Sequence, residues 1–152
     1  MKHFAVVLIA AAISFIASAQ NAENKQADAF QGTWKLNVAK SKFKPGPGAK
    51  SETVTITPDK VSVDAVDADG RTENWFYAPT AGGAATITGM ENSSVTTTVV
   101  NNRTIEHTWK MGNSTMQGRG VVSKDGKKMT YTMTGTTPDG KPVHDVELFE
   151  KQ

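Results

Sequence analysis

The sequence predicts an all-β domain: a single antiparallel up-and-down β-barrel of about 8–10 strands. Three observations point there. From Gly32 onward, apolar and polar residues alternate with period two in almost every segment. Turn-forming pairs interrupt the alternation at short intervals: Asp69-Gly70, Asn101-Asn102, Gly112-Asn113, Asp125-Gly126 and Pro138-Asp139-Gly140. No segment after the first twenty residues repeats its apolar positions at helical spacing. Some ten strands spaced about 8 to 12 residues apart fit a barrel or a sandwich. A sheet this wide accumulates twist and exposes edges, and closure removes the edges. The two-sheet sandwich is the rival architecture, but its crossings usually need longer links than these turns.

Taken in order, residues 1–19 read as a signal peptide. Lys2 gives the positive start, Phe4 through Ile16 are uncharged, and Ala17-Ser18-Ala19 is an A-x-A cleavage site. An apolar run of about 13 residues is short of the roughly 20 that a spanning helix needs. No transmembrane segment is therefore expected after cleavage, and the product is expected to be exported, to the periplasm or the extracellular space. Residues 20–31 form a polar leader with one helical turn near Asp28, and residues 32–152 form the barrel domain. Thr33 to Asn37 is the first strand, with Trp34 and Leu36 on one face. Pro45-Gly46-Pro47-Gly48 makes the next segment a long connection, with the character of a flap. Strands then follow around Val54-Ile56, Val61-Ala65, Trp75-Tyr77 and Thr86-Thr88. The remainder lie at Val95-Val100, Ile105-Trp109, Thr115-Val122, Met129-Met133 and Val143-Glu150. Gly118 and Gly120, inside the eighth strand, mark a bend or a close backbone approach.

Composition excludes several function classes. The chain has no cysteine, which removes thiol nucleophiles, thiolate metal sites and disulfide staples. Its 17 basic and 15 acidic residues nearly balance, without the concentrated basic face that nucleic-acid binding normally needs. A local exception is Lys35, Lys40, Lys42, Lys44 and Lys50, a run with no acidic residue among them. Either a solvated loop or a contact for an anionic surface would explain it. Asp67-x-Asp69-Gly70 opens like a calcium loop but lacks the distant glutamate, and a hairpin turn explains it. No metal and no cofactor is predicted.

Gly32-x-Trp34 on the first strand, preceded by Phe30, resembles the G-x-W signature of the lipocalins. The resemblance implies a calycin-type barrel in which the tryptophan plugs the closed end beneath a basic residue near the last strand. Lys151 stands where that family has an arginine, and the family's T-D-Y motif is missing. The strand count is also similar to the fatty-acid-binding branch, with Pro45-Gly46-Pro47-Gly48 where that branch inserts two helices. Gly32-Thr33-Trp34-Lys35-Leu36-Asn37, Ala39-Lys40-Ser41-Lys42-Phe43, Val122-Ser123-Lys124-Asp125-Gly126-Lys127 and the Lys151-Gln152 ending resemble a group of small exported bacterial lipocalin-like proteins. That likeness implies fold and export and brings no activity with it.

The apolar phase of each strand predicts the interior: Trp34, Leu36, Val54, Ile56, Val61, Val63, Trp75, Tyr77, Ile87, Ile105, Trp109, Met116, Met129, Tyr131, Met133, Val146 and Leu148. Aromatics mixed with methionines suit a deformable apolar pocket, and equally a filled core. His107, between Ile105 and Trp109, and His144, in step with Val146 and Leu148, share that phase. A buried imidazole needs a hydrogen-bond partner, a ligand or water. The leading expectation is a carrier or sensor of a small hydrophobic ligand. Trp75, Tyr77, Trp109, Tyr131 and Met133 would give apolar contact, and His107 and His144 would orient a polar group. A plugged barrel acting through its lysine-rich surface is the second reading. A barrel isomerase or cyclase resting on the two histidines is the third.

Overall fold

A computed structural model describes residues 27–80, 82–137 and 139–152. The expected signal peptide (1–19) and the leader up to residue 26 lie outside the described residues. Ten antiparallel strands form one sheet: β1 (Gly32–Leu36), β2 (Ser51–Ile56), β3 (Val61–Val66), β4 (Thr72–Tyr77), β5 (Ala84–Thr86), β6 (Ser93–Asn101), β7 (Thr104–Met111), β8 (Ser114–Val122), β9 (Lys128–Thr136) and β10 (Pro142–Lys151). Their order is β4-β3-β2-β1-β10-β9-β8-β7-β6-β5, a meander in which the first and last strands pair, Trp34 opposite Lys151. Each neighbouring pair is consecutive in sequence or joins the two chain ends, as an up-and-down barrel requires and a Greek-key sandwich does not. Among the described residues no helix is long and apolar enough to cross a membrane.

The remaining seam, between β4 and β5, is held by one bridge. Phe76 and Thr88 exchange backbone hydrogen bonds of 3.0 and 2.9 Å. The next residue, Gly89, has φ +95° and passes so close to Asn74 and Trp75 that a Cβ would overlap the Asn74 carbonyl. Only glycine lets the backbone approach this closely at that φ. The barrel is nearly closed.

One end is sealed by side chains. Ala27–Gln31, expected as part of a polar leader, turns once at Asp28–Phe30 and then sends Phe30 into the core, fully buried. Trp34, also fully buried, donates from Nε1 to the Phe30 carbonyl at 2.7 Å. Lys151 Nζ lies 5.0 Å from the Trp34 ring centre, taking the place the lipocalin resemblance implied for a basic residue. Gly32 has φ +115°, and a Cβ there would meet Lys151 Cε at 2.9 Å. The G-x-W pattern thus has a local cause: glycine clears the path of the lysine that covers the indole.

After β1 the chain does not leave the sheet. A single turn, Val38–Lys40, capped by the Asn37 side chain, bulges outward, and pairing with β10 resumes at Lys42 and Lys44. The Pro-Gly segment that follows crosses one end of the barrel, with the Phe43 ring packed against Gly48. All five lysines of this region are exposed.

The expected inward phase holds on β1–β4 and β7–β9, and Ile87 just past β5 is buried, but the phase fails on β10. Residues directly opposite one another in an antiparallel ladder point to the same face. Phe149 lies opposite Met129, Glu147 opposite Tyr131 and Asp145 opposite Met133, so the odd-numbered residues of β10 face the lumen. Val146 and Leu148, expected inside, lie half-buried on the outer face, and His144 is exposed there. The strand carries apolar residues in both phases, and the outward pair gave the stronger alternation.

Candidate functional site

Above the Phe30–Trp34 plug, the lumen keeps a cavity of about 450 Å³. Its floor is a layer of aromatic and imidazole rings held by hydrogen bonds. Tyr131 OH accepts from Trp109 Nε1 at 2.7 Å and lies 2.9 Å from His107 Nδ1. His107 Nε2 is 3.5 Å from Tyr77 OH, and Tyr77 shares a further hydrogen bond with Thr97. One arrangement gives every polar atom a role. Trp109, a donor only, gives to Tyr131, Tyr131 gives to Nδ1 of His107, and Nε2–H of His107 points to Tyr77.

The sequence places these groups together for simple reasons. His107 on β7 faces Gly118 on β8, which in turn faces Met133 on β9. Gly118 and Gly120 both point inward, and a Cβ on Gly118 would overlap the Tyr131 hydroxyl. Their missing side chains let the Tyr131 ring lie across β8 and reach His107 and Trp109 two strands away. The close backbone approach expected at these glycines is made by a tyrosine.

Burial dominates the electrostatics here. His107 is 5% exposed, and desolvation lowers its pKa to about 4, which keeps the imidazole neutral. Desolvation also pushes the Tyr77 and Tyr131 hydroxyls up, so both stay protonated. The floor is polar but uncharged. Trp75 meets the Trp109 ring edge-on at 5.7 Å and stacks beside Tyr77 at 6.5 Å.

Of the seven residues singled out from sequence, Trp75, Tyr77, His107, Trp109, Tyr131 and Met133 all line this one cavity. His144 does not. It points away from the lumen because β10 runs in the opposite phase from the one expected, and the two histidines stand on opposite faces of the wall. His144 thus drops out of the site.

The sequence reading missed the carboxylates of the cavity mouth. Glu52 on β2, Glu73 on β4 and Glu147 on β10 line the upper cavity together with Pro47, Gly48 and Ala49 of the strap. Glu52 and Glu73 carried a usable signal, since they share phase with Val54-Ile56 and Trp75-Tyr77. Glu147 was hidden by the misread strand. Enclosure by the barrel wall, and then the Glu73 charge, raises the Glu52 pKa to about 7. Enclosure followed by Glu52 and Asp145 raises Glu147 to about 8. Among the described residues, no three acidic or histidine side chains stand where they could hold a metal ion.

No protein-family model matches the chain, and no curated protein matches it. Solved structures do resemble it. The crystal structure of the wild-type fluorescent protein UnaG has a TM-score of 0.51 at 13% identity, covering 81% of this chain and 97% of that one. Zebrafish ileal bile acid-binding protein complexed with cholic acid gives 0.47 at 11% identity, covering 82% and 99%. The fold is a lipocalin-like, calycin-type barrel.

Proposed function

We propose that this protein is exported and binds a small apolar ligand within its barrel, as a carrier or sensor. The observation that carries the reading is the cavity itself, walled by Trp75, Trp109, Met116 and Met133 and open at the end opposite the Trp34 plug. An enclosed, mostly apolar space with a few fixed polar groups is the usual form of a small-molecule site. A plugged barrel working only through its surface would have no need of that space. Signal cleavage before Gln20 is part of the same proposal, and mass spectrometry of the secreted product tests it.

Binding is tested by titrating the mature protein with a panel of neutral lipids while following tryptophan emission and displacement of an uncharged environment-sensitive dye. Saturable, one-to-one displacement is expected. A folded sample that responds to no member of a broad panel would overturn the reading.

A further inference from the structure

The rim of the cavity narrows the ligand class, on the premise that the lumen is a ligand site. Glu52, Glu73, Glu147 and Asp67 line it, and among the described residues no lysine or arginine does. The carboxyls of Glu52, Glu73 and Glu147 make no hydrogen bond or ion pair with any described residue. Like charges enclosed together without partners are costly, and a cation among them would relieve the cost. The walls beneath are the rings of Trp75, Tyr77 and Trp109, stacked and edge-on to one another, an apolar surface for the body of a ligand. The rim selects a cationic head and the wall an apolar body.

We propose that the lumen takes a cationic amphiphile, with its apolar body against Trp75, Trp109, Met116 and Met133 and an ammonium-type head among Glu52, Glu73 and Glu147. A fatty-acid carboxylate, entering with its head at the mouth, would meet these carboxyls and no lysine or arginine among the described lining residues, the nearby Arg71 being paired with Asp67 and Asp69.

The protonation of the rim supports this. Glu52 is faced by Glu73 from β4 and Glu147 from β10. Glu147 is faced by Glu52, by Asp145 of its own strand and by the neutral Tyr131 of β9. The strap residues Pro47, Gly48 and Ala49 bring no charge. A bound cation favours the ionised carboxylates, so its binding releases protons near neutrality. Its affinity rises as pH increases from about 6.5 to 8.5.

The test compares three ligands sharing one chain: dodecyltrimethylammonium, dodecanol and laurate, each below its micellar concentration, by calorimetry at low salt and about pH 8.5. The cation is expected to bind at least about tenfold tighter than the alcohol, and the alcohol tighter than laurate. Combined Glu52→Gln and Glu147→Gln substitution is expected to remove most of the cation's advantage, and the exposed His144→Ala control to keep it. If the cation binds no tighter than the alcohol, the charge preference is wrong and the lumen site stands. If no ligand binds folded protein, the lumen site fails and the preference with it. The head-group comparison on the unaltered protein needs no variant to fold.

Discussion

The two ends of this barrel are built from the same strands and obey the same alternation, yet they do opposite things. At the closed end large apolar side chains are packed with no exposure. Phe30 and Trp34 fill the space, the indole N–H meets a carbonyl, and Lys151 covers the ring. At the open end the same inward phase carries Glu52, Glu73 and Glu147, whose carboxyls have no hydrogen-bond or ion-pair partner among the described residues, around a cavity that the side chains leave unfilled. Stability is concentrated where packing is complete, and the features that depart from a well-packed core mark the site. Departures from local consistency in a folded chain are where function is sought.

The sharpest way to break this contrast is to open the closed end. Trp34→Ala removes a fully buried indole and its hydrogen bond, and a loss of about 3–5 kcal/mol in denaturant unfolding is expected. A loss under about 1 kcal/mol would mean the plug contributes little.

The floor comes next. Gly118→Ala drives a methyl group into the Tyr131 hydroxyl and breaks its bonds to His107 and Trp109. A destabilisation of about 1–3 kcal/mol is expected. A shift in tryptophan emission should accompany it, measured against Gly112→Ala, where a side chain would meet nothing but is strained by a φ of +56°.

The rim and floor also predict opposite pH dependences. The folded chain holds protons on Glu52 and Glu147 up to about 7 and 8, whereas the unfolded chain releases them near 4.5. More protons are bound folded than unfolded across that window, so stability falls as pH rises through it. With water reaching the lumen, the fall is about 1–2 kcal/mol, and the Glu52→Gln, Glu147→Gln variant flattens it. His107 works the other way. Neutral in the fold down to about 4, it protonates near 6.5 when unfolded, so its contribution is lost as pH falls between those values. Thermal unfolding of both proteins from about pH 4 to 9 measures the two slopes. A rise in stability from pH 6.5 to 8 would contradict the raised carboxyls.

The smallest effect belongs to His144→Ala. An exposed side chain on the outer wall should cost less than about 0.5 kcal/mol and leave ligand binding unchanged. Any loss of binding would return His144 to the site.

Most of the architecture was legible because alternation and turn chemistry act locally. Asp69-Gly70 and Asp125-Gly126 make the turns their residues dictate, with Gly70 and Gly126 at φ +91° and +71°. Lys151 over Trp34 followed from a family likeness rather than from any pattern along the chain. The phase of β10 was not legible, since apolar residues occupy both of its faces and only its pairing with β9 decides between them. That one ambiguity both put His144 in the site and hid Glu147. Phe30 was missed as a core residue because a single aromatic in a polar segment has no periodicity to reveal it. The ring layer around Tyr131 depended on Gly118, whose role is visible only once β8 lies between β7 and β9.

The indole N–H resonances of the three tryptophans offer the most direct test of a sealed end and an open one. On titration with dodecanol, the Trp75 and Trp109 signals should move together and saturate at one equivalent, while that of Trp34 stays fixed. Movement of Trp34 in step with the others, or no movement of any of them in folded protein, would contradict a lumen site above an intact plug.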